Sequence, residues 1–116
     1  MEKVMFLIFG NHPKANTIKE RAIKIVRFLS SCNDWVDLNE IEKFLNINRN
    51  DNPSKFYKPL SAMKKWRLLD NKRKVTGGRG KHVMYTTYYK YTPNRFINFL
   101  KDGLISVCET EIKMFK

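Results

Sequence analysis

The chain has 116 residues, 42% of them hydrophobic and 13% aromatic, enough for one compact domain with its own core and too little for a two-domain enzyme. Its 23 Lys and Arg against 11 Asp and Glu give a formal net charge of +12, which predicts a polyanionic partner. Two widely separated cysteines, Cys32 and Cys108, exclude a disulfide framework, and no apolar run is long enough for a membrane span, so a soluble cytoplasmic protein is expected.

The apolar run Val4–Phe9 reads as either a strand or a helical turn, and it lacks the flanks of a secretory leader. Thr17-Ile18-Lys19-Glu20 has the form of a capping box, in which a hydroxyl and a carboxylate satisfy amides at a helix start. Ile18, Ala22, Ile25, Val26 and Leu29 then recur at helical spacing, which predicts a helix to about Ser31. After the turn signal Asn33-Asp34, Asp37 and Glu40 repeat the capping pattern before Leu38, Ile41, Phe44 and Leu45, and Ile47 closes this short helix.

Asn52 as cap and Pro53 as first helical residue open a third helix, predicted over 53–69. Phe56, Leu60, Met63 and Arg67 share one face of it, while Pro59 removes a hydrogen bond from its interior. The opposite face collects Ser54, Lys58, Ser61, Ala62 and Lys65, with Lys55, Tyr57 and Lys64 at its margins and no acid. Asn71–Thr76 reads as a basic strand, Gly77–Gly80 as a turn, and His82–Tyr91 as a second strand. Thr92 as cap and Pro93 as first residue begin a last helix carrying Phe96, Ile97, Phe99, Leu100 and Leu104. The fold class that follows is mainly α with a small β-hairpin, an α+β arrangement.

The charge is uneven. Residues 49–95 carry 13 basic side chains against Asp51 and Asp70, whereas residues 1–48 and 96–116 are near neutral. A solvated surface mixes both signs, so this stretch is expected to be folded and to face phosphate.

Three helices and then a basic hairpin is an order with a known counterpart. Leu60-Ser61-Ala62-Met63-Lys64-Lys65-Trp66-Arg67-Leu68-Leu69 is similar to the pattern of two apolar residues three apart, a basic turn, a glycine and two aliphatics, with Arg67 in the glycine place. Gly78-Arg79-Gly80-Lys81 looks like a wing tip, and Tyr88-Tyr89-Lys90-Tyr91-Thr92-Pro93 like a wing-return strand and helix cap. Over about residues 17–104 the chain thus resembles the winged helix-turn-helix of MarR-like and PadR-like bacterial and archaeal transcriptional regulators. Pro59, Arg67 and the extra residues around Val83–Thr87 match no particular subfamily.

The resemblance implies a three-helix core plus wing and a C-terminal helix. Residues 1–16 become an N-terminal extension, 17–91 the helix-turn-helix and wing, and 92–116 a helix and tail that supply a dimerisation element. It also implies a homodimer that binds double-stranded DNA sequence-specifically and regulates transcription, with helix 53–69 in the major groove and wing 72–91 on the backbone or in the minor groove. The side chains suit those roles. Lys58 and Lys65 reach guanine edges or phosphates, Ser54 and Ser61 bond either, Tyr57 stacks or bonds phosphate, Ala62 meets a thymine methyl, and Lys55 adds charge. On the wing, Arg79 between glycines is the groove probe, and Lys72, Arg73, Lys74 and Lys81 hold phosphates.

A second hypothesis uses the same fold as a basic module for RNA or a nucleoprotein assembly, prompted by aromatics beside lysines in the hairpin. Tyr85, Tyr88, Tyr89 and Tyr91 are otherwise cross-strand packing, Met63 fills the core, and Trp66 serves the core or a dimer contact. No enzymatic function is expected. The phosphate-loop spacing before Gly80-Lys81 fails at Val75 and His82, and no carboxylate pair or triad assembles. No cofactor or metal is expected either, because His12, His82, Cys32 and Cys108 lack ligand spacing.

Overall fold

The computed structural model describes residues 1–115, apart from the side chain of Lys81. Helix α1 (Glu2–Phe9) leads through a 3-10 turn (Pro13–Ala15) into α2 (Asn16–Cys32). Strand β1 (Val36–Asp37), α3 (Leu38–Leu45) and α4 (Pro53–Lys65) follow, then β2 (Leu69–Gly77), a 3-10 turn (Gly80–His82) and β3 (Met84–Tyr91). A last helical run comprises α5 (Pro93–Asn98), a π-helical stretch (Phe99–Ile105) and α6 (Ser106–Met114). The fold is mixed α+β, with one antiparallel sheet in the order β1-β3-β2.

The core forms where the predicted apolar stripes meet. Ala22, Ile25, Val26 and Leu29 of α2, Leu38 and Ile41 of α3, and Phe56, Pro59, Leu60 and Met63 of α4 are buried. Leu68, Leu69, Val36, Tyr89 and Phe96 close it on the sheet side, and Met5 from α1 is fully buried against the same cluster. Val4–Phe9 is therefore helical, because one face of that run docks on the core.

Several local expectations change. The capping box at Thr17–Glu20 does not form: the chain enters α2 already in helical conformation from the 3-10 turn, Ala15 is the N-cap, and no side chain caps it. Asp37 does cap α3, its carboxylate accepting from the Asn39 amide at 2.8 Å, but Ile47 lies past the helix end at Asn46, whose φ is 54°. Asn52 makes no side-chain cap bond at the start of α4. Thr92 stands at the N-cap of α5, yet its hydroxyl donates to the Arg67 carbonyl at 3.0 Å instead.

The largest difference is the end of α4, which stops at Lys65 rather than Leu69. Continuing the helix would carry the Arg67 guanidinium onto the face of Phe56, Leu60 and Met63, and burying an unpaired charge there is prohibitive. Arg67 instead adopts a left-handed φ of 68° and stays exposed. The Leu68 amide bonds the Met63 carbonyl and the Arg67 amide the Lys64 carbonyl, each at 3.0 Å, the two-bond helix ending that normally takes glycine. That accounts for Arg67 occupying the glycine place.

The sheet also exceeds the predicted hairpin. Strand β1 has only two residues, pairing Val36 with Tyr89 and Asp37 with Tyr88, and β2 starts at Leu69 rather than Asn71. The last helix runs on to Met114, beyond Leu104, with Ile105, Val107, Ile112, Met114 and Phe115 at least half exposed. This projecting arm gives a radius of gyration of 16.8 Å, against about 13 Å for a compact chain of this length.

Candidate nucleic-acid interface

Helix α4 is held by its buried Phe56, Pro59, Leu60 and Met63, so the opposite stripe must face outward. Ser54, Lys55, Tyr57, Lys58, Ser61, Lys64 and Lys65 are exposed there and Ala62 is half-buried. The seven helical candidates therefore lie on one element, and α4 contains no acidic residue.

Two recesses flank this face. Ser61, Lys64, Lys65, Arg67, Asn71 and Tyr89 line one of about 510 Å³, between the end of α4 and β2. Burial pushes the Tyr89 phenol above its ordinary range; a hydrogen bond with the Asn71 side chain opposes the rise and nearby Tyr57 adds to it. The other recess, of about 390 Å³, joins Ser54, Lys55 and Lys58 to His12, Lys14, Thr17 and Arg21. The Arg21 guanidinium also donates to the Lys55 carbonyl at 3.2 Å, bridging α2 and α4.

The wing candidates do not share a face. Side chains alternate along a strand, so Asn71 and Arg73 lie on the face of β2 that carries buried Leu69, while Lys72 and Lys74 lie on the outer face. Lys72 Nζ sits 4.5 Å from the Trp35 ring centroid and 5.9 Å from that of Tyr88, and Lys90 Nζ sits 6.0 Å from Trp35. Lys72 is thereby docked on aromatic rings, away from α4. Arg79 is exposed at the hairpin tip in extended conformation. Beside it Gly78 has a φ of 84°, and a Cβ there would stand 1.8 Å from the His82 carbonyl oxygen, so only glycine fits. The expectation for Lys81 falls on a side chain outside the described ones.

Sequence reasoning missed His12, Lys14, Arg21 and Trp35. The first three come from the near-neutral stretch 1–48 and reach α4 only through tertiary packing. The one local sign is that residues 3–19 contain three lysines and no acid. Trp35 carries no periodic signal because it stands in the loop just before the two-residue β1.

No family model and no curated protein matches this chain. A solved structure does: a protein described as a possible transcriptional regulator from Methanosarcina mazei Go1 superposes with a TM-score of 0.55 and 16% identity, covering 99% of this chain and 88% of that one. The two share a fold. No helix among the described residues is long and apolar enough to cross a membrane.

Proposed function

We propose that the chain is a winged helix-turn-helix protein that binds double-stranded DNA sequence-specifically and regulates transcription. Helices α2, α3 and α4 supply the three-helix core, α4 enters the major groove, and the β2–β3 hairpin is the wing on the backbone or in the adjacent minor groove. The observation that carries this reading is the outward face of α4, which is cationic, small-residued and free of acids beside a basic hairpin. Such a face approaches a groove closely and neutralises phosphate on the way in. The regulator-like fold of the superposable protein supports it.

Ser54, Lys55, Tyr57, Lys58, Ser61, Ala62 and Lys65 read or position on the duplex from α4; Arg73, Lys74, Arg79 and Lys81 hold its backbone from the wing, with Lys72 at the margin. The exposed apolar residues of the C-terminal arm suit pairing with a second copy, giving a homodimer on a two-fold site. Affinity selection of mixed genomic duplexes followed by sequencing, at two salt concentrations, tests the reading. A shared two-fold motif that survives the higher salt is expected; salt-labile binding without a motif would retire it.

One observation favours a second reading as an RNA-binding module: Trp35 and Tyr88 form an aromatic surface flanked by Lys72 and Lys90 on the outer sheet face, the composition that stacks unpaired bases. Competition between duplex DNA and structured RNA separates the two readings.

A further inference from the structure

The recess between the first turns of α2 and α4 has a composition that neither core packing nor solvation calls for. Beside apolar Phe9, Ala15 and Ile18, the basic residues His12, Lys14, Arg21, Lys55 and Lys58 line it with the hydroxyl residues Thr17 and Ser54, and no acidic side chain does. Four permanent positive charges around about 390 Å³ repel one another, and the arrangement becomes favourable when an anion joins them. The helices add to the field. Thr17 and Ser54 are the second residues of α2 and α4, and neither helix has a side-chain cap or an acid in its first turn to offset the positive end of its dipole.

Two of the lining side chains are held in place. His12 Nδ1 accepts from the Lys14 amide at 3.1 Å, which leaves Nε2 as the ring's donor. Arg21 is braced by its bond to the Lys55 carbonyl rather than swinging free. We propose that this recess is a phosphate-binding site. Phosphate fits better than a carboxylate because its tetrahedral oxygens, two free in a diester and three in a monoester, diverge toward donors spread over two helices and a turn, whereas a carboxylate's two lie in one plane. Two sources offer that chemistry, the backbone phosphodiester of a duplex lying along α4 and a free phosphorylated small molecule. Since Lys55 and Lys58 belong to both the recess and the α4 face, the two sources exclude each other. Only the duplex source rests on the DNA-binding reading.

Lys14→Ala is the informative variant, because Lys14 is exposed and its recorded hydrogen bond uses the backbone amide. Inorganic pyrophosphate is titrated calorimetrically at low salt, and a short labelled duplex is followed by anisotropy across several salt concentrations. Parent, Lys14→Ala, His12→Ala and the wing variant Lys74→Ala are compared, with circular dichroism confirming that each is folded. Pyrophosphate should bind the parent and Lys74→Ala alike and bind Lys14→Ala about fivefold more weakly. If the duplex backbone is the source, Lys14→Ala also lowers the salt slope of duplex binding by about one. If a free phosphorylated compound is the source, Lys14→Ala loses pyrophosphate affinity while its salt slope of duplex binding stays that of the parent. Pyrophosphate affinities and salt slopes that coincide for parent, Lys14→Ala and His12→Ala overturn the site. Loss of pyrophosphate binding in Lys14→Ala with no duplex binding by the parent would instead overturn the DNA-binding reading and keep the recess.

Discussion

The Arg21 guanidinium donates to the Lys55 carbonyl at 3.2 Å, the very acceptor that Pro59, four residues on, leaves without its helical partner. A proline inside a helix removes one amide donor. Here a neighbouring helix restores it, which is how α4 passes through Pro59 and stays helical.

That bond predicts a coupling. Arg21→Ala should destabilise the protein by about 1 kcal/mol in urea unfolding. In a Pro59→Ala background, where the amide at 59 can bond Lys55 itself, the same substitution should cost clearly less. Equal costs in both backgrounds would mean that the guanidinium does not replace the missing amide.

Arg67 predicts a gain. Its left-handed backbone costs about 1 kcal/mol in a side-chain-bearing residue, whereas its guanidinium, 5.9 Å from the Phe99 ring centroid, returns about 0.5 kcal/mol at an exposed site. Arg67→Gly should therefore raise the urea midpoint slightly, and Arg67→Ala, which loses the ring contact and keeps the strain, should lower it.

Gly78→Ala should be costly out of proportion to one methyl group. The new Cβ would collide with the His82 carbonyl at a φ that alanine avoids. A loss of more than about 1 kcal/mol is expected, read as a lower melting temperature, together with weaker duplex binding from a displaced Arg79.

Tyr89 sets a dependence on alkaline pH. Its folded pKa lies above the ordinary 10.0 because burial penalises the phenolate, so the folded state holds the proton more tightly than the unfolded one. Stability from this group is complete below pH 10.0 and falls as pH rises through the higher folded value. Urea midpoints measured across that range should fall more steeply in the parent than in Tyr89→Phe; parallel lines would refute the assignment.

The contact of Lys72 with aromatic rings predicts unequal effects of the wing cations on binding. Lys58→Ala and Ser61→Ala should alter which sequences are preferred, while Arg73→Ala and Lys74→Ala should weaken all duplexes alike and flatten the salt dependence. Lys72→Ala should do less than either wing variant, because its ammonium is committed to Trp35 and Tyr88. Selection and salt titration on the five variants check the ranking.

The parts of the fold that were legible are those in which a side-chain period and a burial pattern coincide. The stripe of Ala22, Ile25, Val26 and Leu29 and the face of Phe56, Leu60 and Met63 emerge at their predicted places, and the hairpin forms with β2 beginning two residues earlier, at Leu69, and β3 two residues later, at Met84. The end of α4 was not legible, because Arg67-Leu68-Leu69 continues the helical period and only the cost of burying a guanidinium breaks it. Strand β1 is too short to show any period. The acid-free α4 face was readable from one helix alone, but its extension to His12, Lys14 and Arg21 depends on α2 packing beside α4, a relation that no local window contains. Conversely, Lys72, Arg73 and Lys74 looked like one cluster because they are adjacent in sequence, and alternation along β2 sends them to two sides.

Thr92 donates its amide to the Leu68 carbonyl at 2.8 Å and its hydroxyl to the Arg67 carbonyl at 3.0 Å. One residue just past the hairpin's return strand is thus latched to Arg67 and Leu68, in the turn between α4 and β2. Everything from Leu68 to Tyr91 becomes a loop closed at its base, and the helix and the hairpin tip form a gauge of set span. A partner that meets both must present its two contact points at that spacing or deform until it does.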